Sequence, residues 1–145
     1  MRELKERIET CVDKLSPEQI GARGTANKNA VGNPVLHLRC NVRQWIIATL
    51  DGAPDERRRD AEFAASIGRP AELLAQLRTA VEEACAVISS RTEVRLPTRY
   101  RVRSYDSNGI EAVYRVVEHF ALHYRQITFA TKLLTVEGLG LYRHV

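Results

Sequence analysis

Asn108-Gly109-Ile110-Glu111-Ala112-Val113-Tyr114-Arg115-Val116-Val117-Glu118-His119-Phe120-Ala121-Leu122-His123-Tyr124-Arg125-Gln126-Ile127 is the stretch whose reading decides the fold. Asn108 with Glu111 three residues on forms a capping box, in which each side chain satisfies the other's free amide at a helix start. Val113, Val116, Val117, Phe120, Ile127 and Leu134 recur at helical spacing, and Gly138-Leu139-Gly140 is a strong stop. A long amphipathic helix is predicted, and its apolar face needs partners.

Those partners lie upstream. Leu73, Leu74, Leu77, Val81, Ala84, Cys85 and Ile88 repeat the helical spacing after Arg69-Pro70, where proline suits the first helical position, and the pattern fades at Ser89-Ser90-Arg91. Between these helices, Pro97 and the alternation of Tyr100, Val102 and Ser104 predict an extended connection, or an edge hairpin at most. Another helix is expected from Asn33-Pro34, with Asn33 as its cap, to Leu50, where Asp51-Gly52-Ala53-Pro54 stops it. A charged connector, with room for a helical turn, then runs to Gly68. At the N-terminus Leu4, Ile8, Val12 and Leu15 mark a first helix over residues 2–15, followed by a capped turn at Ser16-Pro17-Glu18-Gln19 and a Gly-, Ala- and Asn-rich loop from Gly21 to Gly32. Four amphipathic helices without a convincing sheet imply an all-α four-helix bundle, one domain over residues 1–145.

Composition narrows the classes of function. The 44% hydrophobic and 28% charged residues are those of an ordinary globular domain, and no apolar run approaches the roughly 20 residues of a membrane span. The charged N-terminus has no signal-peptide pattern, so a cytoplasmic protein without a membrane partner is expected. The net charge of +4 is spread among acids, and the one basic run, Arg57-Arg58-Arg59, is flanked by Asp55, Glu56, Asp60 and Glu62. With 6% aromatics there is no nucleic-acid footprint. Cys11, Cys40 and Cys85 lack paired spacing and read as buried, reduced thiols.

The histidines carry the chemistry. His119 and His123 are four apart, about 40° on one helix face, close enough for two imidazoles to reach one ion. His37 falls on the second helix among Val35, Leu36, Leu38, Val42, Trp45 and Ile46, where a polar ring needs a partner. Three neutral imidazoles from two helices would form a facial set for zinc or nickel that leaves positions open for water or substrate. Glu118 points about 100° away from His119 and is a poor ligand candidate. Asn41 and Gln44 follow His37 on its face, and Arg115 and Gln126 flank the pair; they are expected to orient imidazoles or capture a ligand, or else to reach solvent at the mouth. His144 reads as an exposed tail residue. The alternative, that the three histidines hydrogen-bond without metal, remains open on the sequence.

Asn33-Pro34-Val35-Leu36-His37-Leu38-Arg39-Cys40-Asn41-Val42-Arg43-Gln44-Trp45-Ile46, Arg59-Asp60-Ala61-Glu62-Phe63 and Val117-Glu118-His119-Phe120-Ala121-Leu122-His123-Tyr124-Arg125-Gln126-Ile127 through Lys132-Leu133-Leu134 carry a resemblance. The chain resembles the DinB-like superfamily of metal-binding four-helix bundles, in the branch with a shortened Arg-Asp-x-Glu-Phe connector, up to Leu139-Gly140-Leu141-Tyr142. The resemblance implies an up-down-down-up bundle, His37, His119 and His123 as metal ligands, and a homodimer. Where related sequences tend to have glycine, this chain has Cys40 and Arg125, which would alter packing or narrow the pocket. Some relatives are metal-dependent thiol S-transferases or isomerases using a low-molecular-weight thiol, so that activity on a small-molecule ligand is one expectation. No catalytic residue is assigned; Tyr124, Arg115 and Gln126 are candidates for orienting groups or charge stabilisers. The other expectation is a non-catalytic, dimeric module that binds metal or a small ligand.

Overall fold

A computed structural model describes residues 1–24, 29–91, 96–135 and 138–141. The chain is mostly helical, with one two-stranded antiparallel hairpin among the described residues. The first helix, α1, runs Arg2–Val12, three residues shorter than the apolar stripe, because Asp13 to Leu15 turn away from it. The short α2, Pro17–Gly21, has the expected box: the Gln19 amide donates to Ser16 Oγ at 3.3 Å and the Ser16 amide to Gln19 Oε1 at 2.8 Å.

Helix α3, Gly32–Val42, passes directly into a π-helical segment, Arg43–Ala48, and a final turn, α4, Thr49–Asp51. Asn33 is not its cap. It sits inside the first turn, fully buried, where its Oδ1 accepts from the Ala30 amide at 2.9 Å and its Nδ2 donates to the carbonyls of Glu62 and Ala65 at 3.1 and 3.0 Å. The connector is thereby fastened to α3. It includes the helical turn α5, Arg59–Ala64. Gly32 allows the approach, since a Cβ there would meet Ile67 side-chain carbons at 2.7 Å.

Helix α6, Pro70–Ser90, opens with its proline as expected. The connection after it forms β1, Arg99–Val102, and β2, Tyr105–Asn108, paired from Arg99↔Asn108 to Val102↔Tyr105. Helix α7, Gly109–Leu134, has the expected capping box, with the Glu111 amide on Asn108 Oδ1 at 2.9 Å and the Asn108 amide on Glu111 Oε2 at 2.8 Å. It stops at Thr135, ahead of the glycine pair.

α3 packs on α6 and α7, α1 on α7 and α6, α5 on α3, and the hairpin on α4 and α7. The core between them comprises Ile8, Val35, Leu38, Val42, Ile46, Leu77, Val81, Val116, Phe120 and Ile127, each 1% exposed or less. Cys11 is buried, Cys40 and Cys85 half-buried, and all three are free thiols. His144 and Tyr142 lie outside the described residues. No helix among the described residues is long and apolar enough to cross a membrane.

Replacing Asn33 by alanine strands one buried amide and two carbonyls at once. The expected loss is about 2–3 kcal/mol of unfolding free energy. Urea denaturation of the variant measures it, and a change below about 0.5 kcal/mol would show that the connector is not fastened this way.

Candidate metal centre

His37 is 2% exposed, and its ring lies between two partners. On one side Nδ1 is 2.7 Å from Glu62 Oε2; on the other, Nε2 is 2.8 Å from His119 Nε2. Glu62 is 4% exposed, and burial by itself would raise its pKa. Hydrogen bonds from His37 and Arg57, with the charge of Arg57, outweigh that and hold the carboxyl at about 2. An ionised carboxylate only accepts, so the His37 proton sits on Nδ1 and the Nε2 lone pair is left for another group. Arg57 Nη2 also lies 3.1 Å from His37 Nδ1, but two donors cannot bond to each other; Arg57 instead donates to Glu62, through Nε to Oε1 at 2.8 Å and Nη2 to Oε2 at 3.2 Å.

His119 and His123 come from one face of α7, with ring centroids 4.5 Å apart and planes at 85°. Burial, then the neighbouring His123 and His37 and the cations Arg57 and Arg115, push His119 down to about 4. Burial and His37 lower His123 as well, against the opposing hydrogen bond that it donates to Gln126 Oε1. Gln126 Oε1 lies 2.8 Å from His123 Nδ1, which puts the proton there and frees Nε2. Both imidazoles are therefore neutral at physiological pH. The ligating atoms of His37, His119 and His123 all fall within 4.8 Å of one another. Zinc bonds of about 2.0–2.1 Å at tetrahedral angles need donor separations of about 3.3 Å, so the 2.8 Å pair must open slightly and the widest pair close, shifts within reach of side-chain torsions. Three histidines close together can hold a metal ion.

The other expected site residues divide. Gln126 is hydrogen-bonded to His123 Nδ1 through its Oε1. Gln44 touches no imidazole: its Oε1 accepts from Arg57 Nη1 at 2.8 Å and its Nε2 donates to Asp55 at 2.7 Å, so it acts through Arg57. Asn41 is buried in the same cavity, and its Oδ1 finds no partner among the described residues. Arg115 is stacked at the mouth, its guanidinium carbon 4.7 Å from the Trp45 ring and 4.8 Å from that of Tyr105. Tyr124 is buried on the α1 side, with Arg7 6.0 Å from its ring, and is not at the site. Arg125 is exposed, turned about 160° from His123 around α7, and does not narrow the pocket. Cys40 borders a neighbouring cavity, and burial pushes its thiol up, against a nucleophilic role.

Glu62 and Arg57 were not expected at the site. Both lie in the charged connector, where alternating signs read as a solvated spacer, and the only pointer to Glu62 was its place in the Arg59-Asp60-Ala61-Glu62-Phe63 block. Phe63 closes the same wall, its ring 4.7 Å from that of His37.

Over residues 1–140 the chain matches the family described as "Protein of unknown function (DUF1572)", and it belongs to that family. No curated protein and no solved structure matches it.

The lowered pKa values fix a pH dependence. An unfolded chain takes up a proton at His119 near pH 6.5, whereas the folded chain resists until about 4, so stability present above the first value is lost as pH falls toward the second. His123 contributes in the same direction, and Glu62 extends the loss from 4.5 toward about 2. With a chelator present, the urea midpoint should fall steadily from about pH 7 to 4.5, and His119→Phe should flatten that slope. Parallel wild-type and variant curves would contradict the assignment.

Proposed function

We propose that this member of the DUF1572 family is a divalent-metal protein of the DinB-like kind, whose open three-histidine site binds a low-molecular-weight thiol for transfer to, or isomerisation of, a small molecule. The observation that carries this reading is the convergence of His37, His119 and His123 with tautomers set by Glu62 and Gln126, because a metal-binding imidazole needs its second nitrogen held by an acceptor. Zinc and nickel both suit three imidazoles with open positions. An ion held there would lower the pKa of a bound thiol and keep it as thiolate at neutral pH.

The chain's own residues favour an anionic ligand. The cavity above His37 and His119, about 250 Å³, has Arg57, Arg59, Arg103 and Arg115 in its lining and no carboxylate. Arg57 is neutralised by Glu62 and Arg103 lies 3.7 Å from Asp55, which leaves Arg59 and Arg115 as the cations to meet a ligand. The up-down-down-up bundle that goes with this reading is supported by the long connector between α4 and α6 and by the packing of α1 on α7.

A second reading, a non-catalytic module that binds metal or a small ligand, is favoured by one observation. The carboxylate nearest the donors, Glu62, is fully engaged by His37 and Arg57, so the described residues offer no free general base there.

Protein purified without a polyhistidine tag should hold one zinc or nickel ion per chain after incubation and dialysis, and His37→Ala/His123→Ala should hold none. Glu62→Gln, which keeps the shape but weakens the acceptor, should reduce metal affinity about 10- to 100-fold. Saturable thiol binding to the metal-loaded protein, absent from His119→Ala, supports the transferase. Bound metal without thiol binding supports the module, and equal metal content in wild type and double variant sinks both.

A further inference from the structure

Asn41 stands one helical turn after His37 on α3, 6% exposed, and its Oδ1 has no hydrogen-bond partner among the described residues. A buried acceptor left unpaired costs stability, so its presence calls for a reason. A shortage of donors is not the reason. Asn41 lines the cavity of about 250 Å³ above His37 and His119, whose wall also holds Arg57, Arg59, Arg103 and Arg115. Arg57 has committed its fork elsewhere, with Nη1 on Gln44 Oε1 at 2.8 Å and Nε and Nη2 on Glu62 at 2.8 and 3.2 Å. Gln44, the other amide in the wall, is satisfied at both ends, since its Nε2 donates to Asp55. Of the two amide oxygens, only that of Asn41 is left to the cavity. Two cations are left with it. Neither Arg59 nor Arg115 has an ion-pair partner among the described residues; the first lies 5.4 Å from the Phe63 ring and the second between Trp45 and Tyr105. A guanidinium stacked by its face keeps its N–H groups in the ring-parallel plane, where they meet a carboxylate edge-on.

We propose that this cavity takes a small carboxylate that also carries an N–H or O–H group, its carboxylate on Arg59 and Arg115 and its donor on Asn41 Oδ1. This names a substrate class for the ligand approach proposed above, and it rests on that reading of the cavity. The pairing follows from what each partner lacks. A plain alkyl acid would satisfy the arginines and shut Asn41 Oδ1 away from water unpaired, whereas a neutral amide would do the reverse. A site built to hydrogen-bond a ligand group discriminates strongly against the analogue without it. Asn41 beside His37 draws the donor end toward the histidines, and Arg115 at the mouth holds the acid end outward. The volume lies just below the roughly 300 Å³ at which small-molecule sites begin, so the ligand is small.

Trp45, the chain's one tryptophan, lines this cavity, so its fluorescence reports ligand entry. The full chain, metal-free and zinc-incubated in parallel, is titrated with acetate, glycolate, N-acetylglycine and N-methylacetamide. In the metal-free protein, glycolate (O–H) or N-acetylglycine (N–H) should bind at least about tenfold tighter than acetate, and the tighter of the two identifies the donor. N-Methylacetamide, which has the N–H and no charge, should not bind. Asn41→Leu should keep the acetate affinity and lose the preference. Arg115→Met, at an exposed position, should weaken all three acids about tenfold with the preference unchanged, and it serves as the test should Asn41→Leu not fold. Acetate binding as tightly as both donor-bearing acids, a preference that survives in Asn41→Leu, or acid binding unaffected by Arg115→Met overturns the proposal. Zinc content should stay at wild-type level in both variants. Zinc bound without the preference sinks this inference alone, and the preference without zinc sinks the metal reading alone.

Discussion

A buried imidazole is the constraint from which the rest of this site follows. His37 stands on α3 between Val35 and Leu38, both fully buried, where an unpaired ring N–H would cost roughly 1–3 kcal/mol and a bare carboxylate far more. Glu62 and His37 resolve each other's problem at 2.7 Å, and Arg57 balances the charge that remains. Glu62, however, belongs to the connector, so the connector must lie against α3 for the pair to form. Asn33 takes the backbone carbonyls of Glu62 and Ala65, and the missing side chain of Gly32 admits Ile67. Connector path and imidazole orientation are therefore one construction.

The electrostatics are arranged around neutral donors. Burial and mutual repulsion keep His119 unprotonated well below neutral pH, so an approaching cation has no proton to displace. The ion pair of Arg57 and Glu62 adds little net charge beside the donors, although each member alone would matter by several kcal/mol at such separations. Unbalanced positive charge is left to Arg115 and Arg59, both held over aromatic rings. Three neutral histidines at the floor can hold a metal ion, and the uncompensated positive charge lies at the mouth.

The helices and the three histidines were legible because helical period and capping chemistry are local: Asn108 with Glu111 and Ser16 with Gln19 cap as their spacing requires. Residues whose role depends on non-local docking were not. Asn33 has the side chain of a cap, and only the position of Glu62 and Ala65 makes it a clasp. Glu62 sits among charges of both signs, where nothing distinguishes a buried carboxylate from a solvated one. Gln44 was correctly placed on the inner face, yet its partner Arg57 comes from the connector, which the helical period does not describe.

The hairpin is small but bound to the same construction through the π-helical turn. Gln44, Trp45, Ile46 and Ile47 are four successive buried residues, and because they are spread around most of a helical turn no single face can hide them all. The segment must be covered on nearly every side. Ile46 and Ile47 face the core, Gln44 is taken by Arg57 and Asp55, and Trp45 is left to the hairpin, its ring 6.0 Å from that of Tyr105 with Arg115 stacked on both. The turn widens where Thr49 Oγ1 donates to the Gln44 carbonyl at 2.8 Å, as π-helical segments often do near functional sites. Arg103, in the left-handed region at φ 56° in the hairpin turn, donates to the Arg57 carbonyl at 2.7 Å. Without these strands Trp45 would meet water and Arg115 would lose one of its two rings, so the mouth of the candidate metal centre is set by a hairpin that adds little to the core.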